Sequence, residues 1–300
     1  MNEPTLNANL DPSPAPVPAG EQWDCHFHVF DSRYPLAPGC AYRPADAPMA
    51  DFRALCVSRG IQRGVLVHPS VYGADHASFE DALVANGHWL RGVAVVYPDR
   101  ATTADSKIEL WHTLGARGTR VNRLFPGAPD DIDSVVDRVA PLGWHVQLLV
   151  DLVADIDIVR RIAARGVPVV IDHFGHHSVE ALLKSGAFAD LLALMREGLA
   201  WVKLSGGYRV QRTVGPWSSL EPLVDALAGA NDRRLVWGSD WPHPSSAVHP
   251  FPHPGNEAIG DTVRLWLRNA DLLRRVMQEN PAHLYDSTVP GGREPLSTAG

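Results

Sequence analysis

Residues 23–30 read WDCHFHVF, and how this stretch is taken decides the fold. It is short, largely apolar and bounded by polar chain, as a buried strand is. Seven further runs of the same kind follow: 64–68 (GVLVH), 92–97 (GVAVVY), 118–122 (GTRVN), 144–150 (WHVQLLV), 167–172 (VPVVID), 200–205 (AWVKLS) and 235–239 (LVWGS). Amphipathic helix-like segments fall between them at 77–90, 130–141, 154–165, 187–197 and 219–229, and 257–278 closes the series. Strands that alternate with helices predict a parallel sheet covered on both faces. Eight repeats within residues 21–286 predict an α/β fold of the (β/α)8 TIM-barrel type. An open doubly wound sheet would call for a glycine-rich phosphate turn after the first strand, and none is present.

The flanks differ from this middle part. Residues 1–20 are rich in Pro, Ala and Asn and predict a disordered lead-in, with a matching tail at 287–300. The formal charge of −7 argues against nucleic acid as the main partner. Three sparse cysteines, Cys25, Cys40 and Cys56, give no disulfide framework and suit a reducing compartment. No secretory leader and no apolar run of membrane-spanning length is legible, so the expectation is a cytoplasmic protein that does not engage a membrane. Oligomeric state is left open.

A barrel places chemistry at the C-terminal ends of its strands, and the reactive side chains collect there. Alternation puts Asp24, His26 and His28 on one face of the first strand, with Cys25 and Phe27 on the other. Two imidazoles would then converge on one point, suited to a metal ion or a carbonyl oxygen. An isolated His-x-His pair is as often a hydrogen-bonded core pair; its place at the head of a barrel tips the reading towards function. Cys25 is expected to face the helix layer as an inert buried thiol. Asp240, in GSDWPHP at 238–244, follows the last strand and precedes a rigid turn. A carboxylate there, facing two imidazoles, can activate water or ligate a metal. His173 follows the sixth strand. Arg120, Arg123 and Arg209 sit after strands four and seven, where guanidinium groups bind carboxylates. His145 reads as a core or supporting residue, and His177 as a solvated loop histidine.

DCHFH at 24–28, DHFG at 172–175, GSDWPHP at 238–244 and NPAHLY at 280–285 together resemble the amidohydrolase superfamily, specifically its 2-pyrone-4,6-dicarboxylate lactonase-like group, over about residues 22–286. The resemblance implies a hydrolase that opens a lactone ring of a small carboxylated compound. In that reading His26, His28 and His173 polarise the carbonyl, and Asp240 takes a proton from water. Tyr42, Ser70, Arg120 and Arg209 contact substrate, and Arg123, Gln147 and His176 complete the candidate set. His176 stands where the group has a further arginine, and Arg123 lies closer to Arg120 than the group's pattern places it. Fewer guanidiniums suggest one carboxylate on the substrate, or a differently shaped diacid. Metal-dependent members carry a histidine where this chain has Gln147, and strand four offers only Arg120 and Asn122, which excludes a two-metal site. One divalent ion such as zinc on His26, His28 and Asp240, or none, remains, with no nucleotide or organic cofactor. Lactone isomerisation and metal-dependent decarboxylation are the alternatives on the same barrel.

Overall fold

The computed structural model describes residues 20–124, 131–211, 217–244 and 261–286. The predicted tails, Gly20 apart, and the first residues of the predicted 257–278 helix lie outside these. Eight parallel strands run in sequence order: β1 (Trp23–Phe27), β2 (Arg63–Val67), β3 (Leu90–Ala94), β4 (Ala116–Asn122), β5 (His145–Leu149), β6 (Val169–Ile171), β7 (Ala200–Leu204) and β8 (Leu235–Trp237). Beyond β8, a parallel bridge between Phe27 and Trp241 brings the last strand end against the first.

Helices follow the strands: α1 (Met49–Arg59), α2 (Ala77–Asn86), α3 (Asp105–Thr113), α4 (Ile132–Val139), α5 (Leu152–Ala163), α6 (Val179–Lys184), α7 (Gly186–Arg196), α8 (Gly207–Val210), α9 (Glu221–Asn231), α10 (Asp261–Trp266), α11 (Ala270–Arg274) and α12 (Asn280–Asp286). The expected barrel is therefore present; besides the short α6 and α8, the helices α1 and α3 are additions to the sequence reading. Each of these two buries only two apolar side chains, Phe52 and Cys56 in α1, Ile108 and Trp111 in α3, too narrow a stripe to stand out. The described part of the last expected helix is broken into α10, α11 and a π turn at Arg275–Glu279.

Strand alternation separates two apolar layers. Leu66, Val121, Leu148, Ile171, Val202 and Trp237 point outward into the core shared with the helices. Val65, Val67, Val93, Val170, Trp201 and Val236 form a second cluster inside the barrel. Its floor is sealed by α12: Tyr285 stacks on Trp23, with ring centroids 6.1 Å apart, and meets His145 edge-on.

The first strand departs from simple alternation. Asp24 pairs with Gly64 and Phe27 with Leu66, so three steps on β1 match two on β2. This extra residue is a β-bulge, which resets the facing of everything beyond it. Cys25 therefore joins the interior cluster instead of facing the helices, which corrects the parity reading. Phe27 turns out to stack on Phe52 at 3.6 Å. Asp24 does not share the face of the two histidines: its Oδ1 accepts from the backbone N–H of His26 and of Ser239. Burial pushes the Cys25 thiol well above its usual range, so it is inert as expected.

Candidate active site

The bulge delivers His26 and His28 together to the mouth of the barrel, with their Nε2 atoms 3.3 Å apart. The β8 end is stitched to them by backbone bonds from Asp240 N–H to the His26 carbonyl and from His28 N–H to the Trp241 carbonyl. Gly238 is required for this approach, because a Cβ there would lie 2.7 Å from the backbone nitrogen of His26. His173 arrives from the end of β6, its ring 4.7 Å from that of His26. Oδ1 of Asp240 faces both, 3.8 Å from His26 Nε2 and 3.9 Å from His173 Nε2. The three imidazoles and the carboxylate expected to converge do converge, and all four are buried.

The backbone is strained at this point. His173, Phe174, His176, Asp240 and His243 all have φ between 50° and 63°. Non-glycine residues rarely adopt that conformation, and such clusters mark sites where side-chain placement outweighs local comfort.

Hydrogen bonds divide the roles. Oδ2 of Asp240 accepts from Arg209 Nε at 2.7 Å and from the Tyr208 hydroxyl, while Oδ1 accepts none. Burial works against its ionisation, but the Arg209 guanidinium outweighs it and holds the carboxyl well below its usual range. Burial, the leading cause in each case, lowers His26 to about 4 and takes His28 and His173 well below the ordinary imidazole value. All three rings are neutral near pH 7. His28 Nδ1 sits 2.8 Å from the Val67 carbonyl, so it carries the proton and leaves Nε2 as a lone pair. His173 Nδ1 is held by the Ser205 hydroxyl at 2.9 Å.

The pocket above is narrow, partly open to solvent, and lined by His28, His173, Asp240, Arg120, Arg209, Tyr42 and Ser70 among others. Burial pushes the Tyr42 hydroxyl up to about 12, so it is a neutral donor. Arg120 donates through Nε to Asp172 at 2.9 Å and is among the residues lining the pocket. Arg209 is less available than expected, since Nε serves Asp240 and Nη2 serves the Pro244 carbonyl.

Not every candidate reaches the pocket. Arg123 is exposed and pairs with Asp155 of α5 at 3.0 Å. Gln147 is buried, with Nε2 3.5 Å from His26 Nδ1, and is not among the residues lining the pocket. His176 is half-buried, its ring 6.5 Å from that of His173. His177 is held by Asp151 at 2.9 Å instead of standing free in solvent, and His145 lies at the floor.

Two supporting residues, Asp172 and Lys203, were missed. Asp172 has Oδ1 3.3 Å from His26 Nδ1, and Lys203 is fully buried inside the barrel. Tyr208 and Ser205 hold Asp240 and His173. The lysine in AWVKL was the available signal: a cation inside an apolar strand requires a buried partner.

A single divalent ion fits the donor set. Ligand atoms of His26, His28 and Asp240 lie within 4.8 Å of one another, the lone pair of His28 is fixed, and Oδ1 of Asp240 is unengaged.

Comparisons with known proteins follow the geometry. A protein-family model described as Amidohydrolase matches residues 23–286. The chain is 32% identical to a 2-pyrone-4,6-dicarboxylate hydrolase of Comamonas testosteroni, covering 90% of this chain and 91% of that one. It is 29% identical to a 4-sulfomuconolactone hydrolase of Hydrogenophaga intermedia, covering 94% of each. The crystal structure of a putative 2-pyrone-4,6-dicarboxylic acid hydrolase from Pseudomonas putida superposes with a TM-score of 0.76 at 29% identity, over 89% of this chain and 97% of that one.

Proposed function

The chain belongs to the amidohydrolase family, and on that premise we propose that it is a hydrolase opening the lactone ring of a small carboxylated compound. The observation that carries this reading is Asp240: an ionised carboxylate with one oxygen capped and the other bare, facing three neutral imidazoles in a pocket that also holds a guanidinium. Relatives named as hydrolases of a pyrone dicarboxylate and of a sulfomuconolactone support the substrate class.

In this mechanism Arg120 and Tyr42 hold the substrate's carboxylate and orient the ring. Oδ1 of Asp240 takes a proton from water as the water oxygen adds to the lactone carbonyl carbon. The imidazole cluster stabilises the negative oxygen of the resulting tetrahedral adduct. The ring C–O bond then breaks, and the departing oxygen recovers the proton from Asp240. A hydroxy acid results, and its new carboxyl releases one proton at neutral pH. A divalent ion held by His26, His28 and Asp240 would supply Lewis-acid polarisation of the carbonyl.

The test is a panel of carboxylated lactones, including 2-pyrone-4,6-dicarboxylate and muconolactones, followed with a pH indicator. Ring opening with release of one proton per turnover is expected. Consumption of substrate without proton release would replace hydrolysis with isomerisation.

A further inference from the structure

Lys203 lies inside the barrel with no exposed surface. Its Nζ donates to the Cys25 carbonyl at 2.8 Å and to Gln147 Oε1 at 2.6 Å, and lies 3.4 Å from His26 Nδ1. An ammonium only donates. Gln147 must therefore turn its oxygen to Lys203, which sends its amide nitrogen to the other side. There Nε2 donates to Asp172 Oδ2 at 3.0 Å and lies 3.5 Å from His26 Nδ1. Two donors thus bear on one ring nitrogen. The neighbouring acceptor, Asp172 Oδ1 at 3.3 Å, makes no hydrogen bond in this arrangement.

A lone pair on Nδ1 puts the ring proton of His26 on Nε2. It meets the Nε2 of His28 at 3.3 Å, and that atom is an acceptor because the other nitrogen of His28 serves Val67. The hydrogen-bond chain from Lys203 through His26 to His28 is then complete. A metal ligand needs the opposite tautomer, with a proton on Nδ1 wedged against two donors.

We propose that Lys203 is a positioning residue which, through Gln147 and directly, holds His26 in the Nε2–H tautomer. His26 then gives its Nε2 proton to His28 instead of offering a lone pair to the site, and binding of a divalent cation is weakened. Asp172 is the counterpoise: it favours the metal-ligating tautomer, and Lys203 overrides it. Only the kinetic readout of this proposal rests on the lactonase reading.

The first test reads the tautomer in the unaltered protein, with one variant used only for assignment. Nitrogen-15 spectra of the chelator-treated full chain, with His26 assigned by loss of its signals in His26→Gln, are expected to show Nε2–H. A proton on Nδ1 overturns the proposal. The second is zinc titration against a chromophoric chelator. Lys203→Met is expected to bind zinc about tenfold more tightly and to lose about tenfold in kcat with little change in KM. A purely structural role for the lysine would weaken zinc binding along with activity, and unchanged or weaker binding by the folded variant overturns the proposal. Should Lys203→Met fail to fold, Gln147→Leu removes the second donor and is expected to tighten zinc binding in the same direction. If no lactone is turned over by the unaltered protein, the proposed function fails, while the tautomer and zinc measurements still decide this one.

Discussion

Arg209 Nε stands 2.7 Å from Oδ2 of Asp240, and Oδ1 of the same carboxylate accepts no hydrogen bond. The two oxygens are thereby given separate work. One fixes the side chain in place, and the other is left for the reaction. Asp240→Asn keeps the shape and should keep the bond to Tyr208 or Arg209 through its remaining oxygen. It should lower kcat by about 10²-fold or more with a modest change in KM. Steady-state kinetics on a turned-over lactone measure this, and an unchanged kcat removes Asp240 from the base role.

Arg120 joins substrate binding to stability. Its Nε is bound to Asp172, which is fully buried. Arg120→Met would raise KM for carboxylated lactones and also strip a buried carboxylate of a hydrogen-bonding cation, at a cost of about 3–5 kcal/mol. Arg120→Lys should retain more stability while still raising KM, because a point charge does not reproduce the guanidinium fork. Melting curves beside KM values separate the two effects.

Arg123 gives the opposite expectation. It is exposed and paired at the surface with Asp155. Arg123→Ala should leave kcat/KM within about twofold and change stability by less than about 1 kcal/mol. A large rise in KM would bring this arginine back to the substrate.

Acid should unfold the protein through its histidines. His26, His28, His68, His76, His145 and His173 are all held below the ordinary imidazole value, chiefly by burial. The unfolded chain therefore takes up these protons first. Their contribution is complete above about pH 6.5 and is lost as pH falls through the folded values, about 4 for His26 and His76. His26 alone is linked to roughly 3 kcal/mol. Asp24, raised by burial to about 6, works the other way: its ionisation lowers stability as pH climbs from about 4 to about 6. One carboxylate offsets only one of the rings. Urea denaturation should show clearly lower stability near pH 5 than near pH 7.5, and equal values would contradict this.

Gly238→Ala tests the seam between β8 and β1. The added methyl would meet the Cβ of His26 at 2.5 Å and backbone atoms that cannot swing aside. A loss of about 1–3 kcal/mol is expected from the overpacking, together with a fall in kcat as Asp240 and His26 move apart. Normal activity in this variant would mean that the two strands have room to shift.

The barrel was legible because strands buried on both faces read as apolar runs, and their spacing counts the repeats. The catalytic candidates were legible because a barrel gathers its chemistry at strand ends. The bulge in β1 was not, since one extra residue leaves no mark in the pattern of DCHFH, and Cys25 and Asp24 were misplaced for that reason. Pairings such as Arg209 with Asp240 and Arg120 with Asp172 join residues 31 and 52 positions apart, so the commitments of these arginines could not be read from spacing. Lys203 escaped because it lies within a strand, below the rim where attention falls.

The stopper formed by Tyr285 comes from a helix that follows all eight strands in the chain. During synthesis the wall of the barrel can be assembled before its plug has been made, leaving Trp23 and the valines above it open to water from beneath. For that interval the nascent molecule is a tube, and removal of residues 280–286 would make the condition permanent, with aggregation through the uncovered lower opening as the consequence.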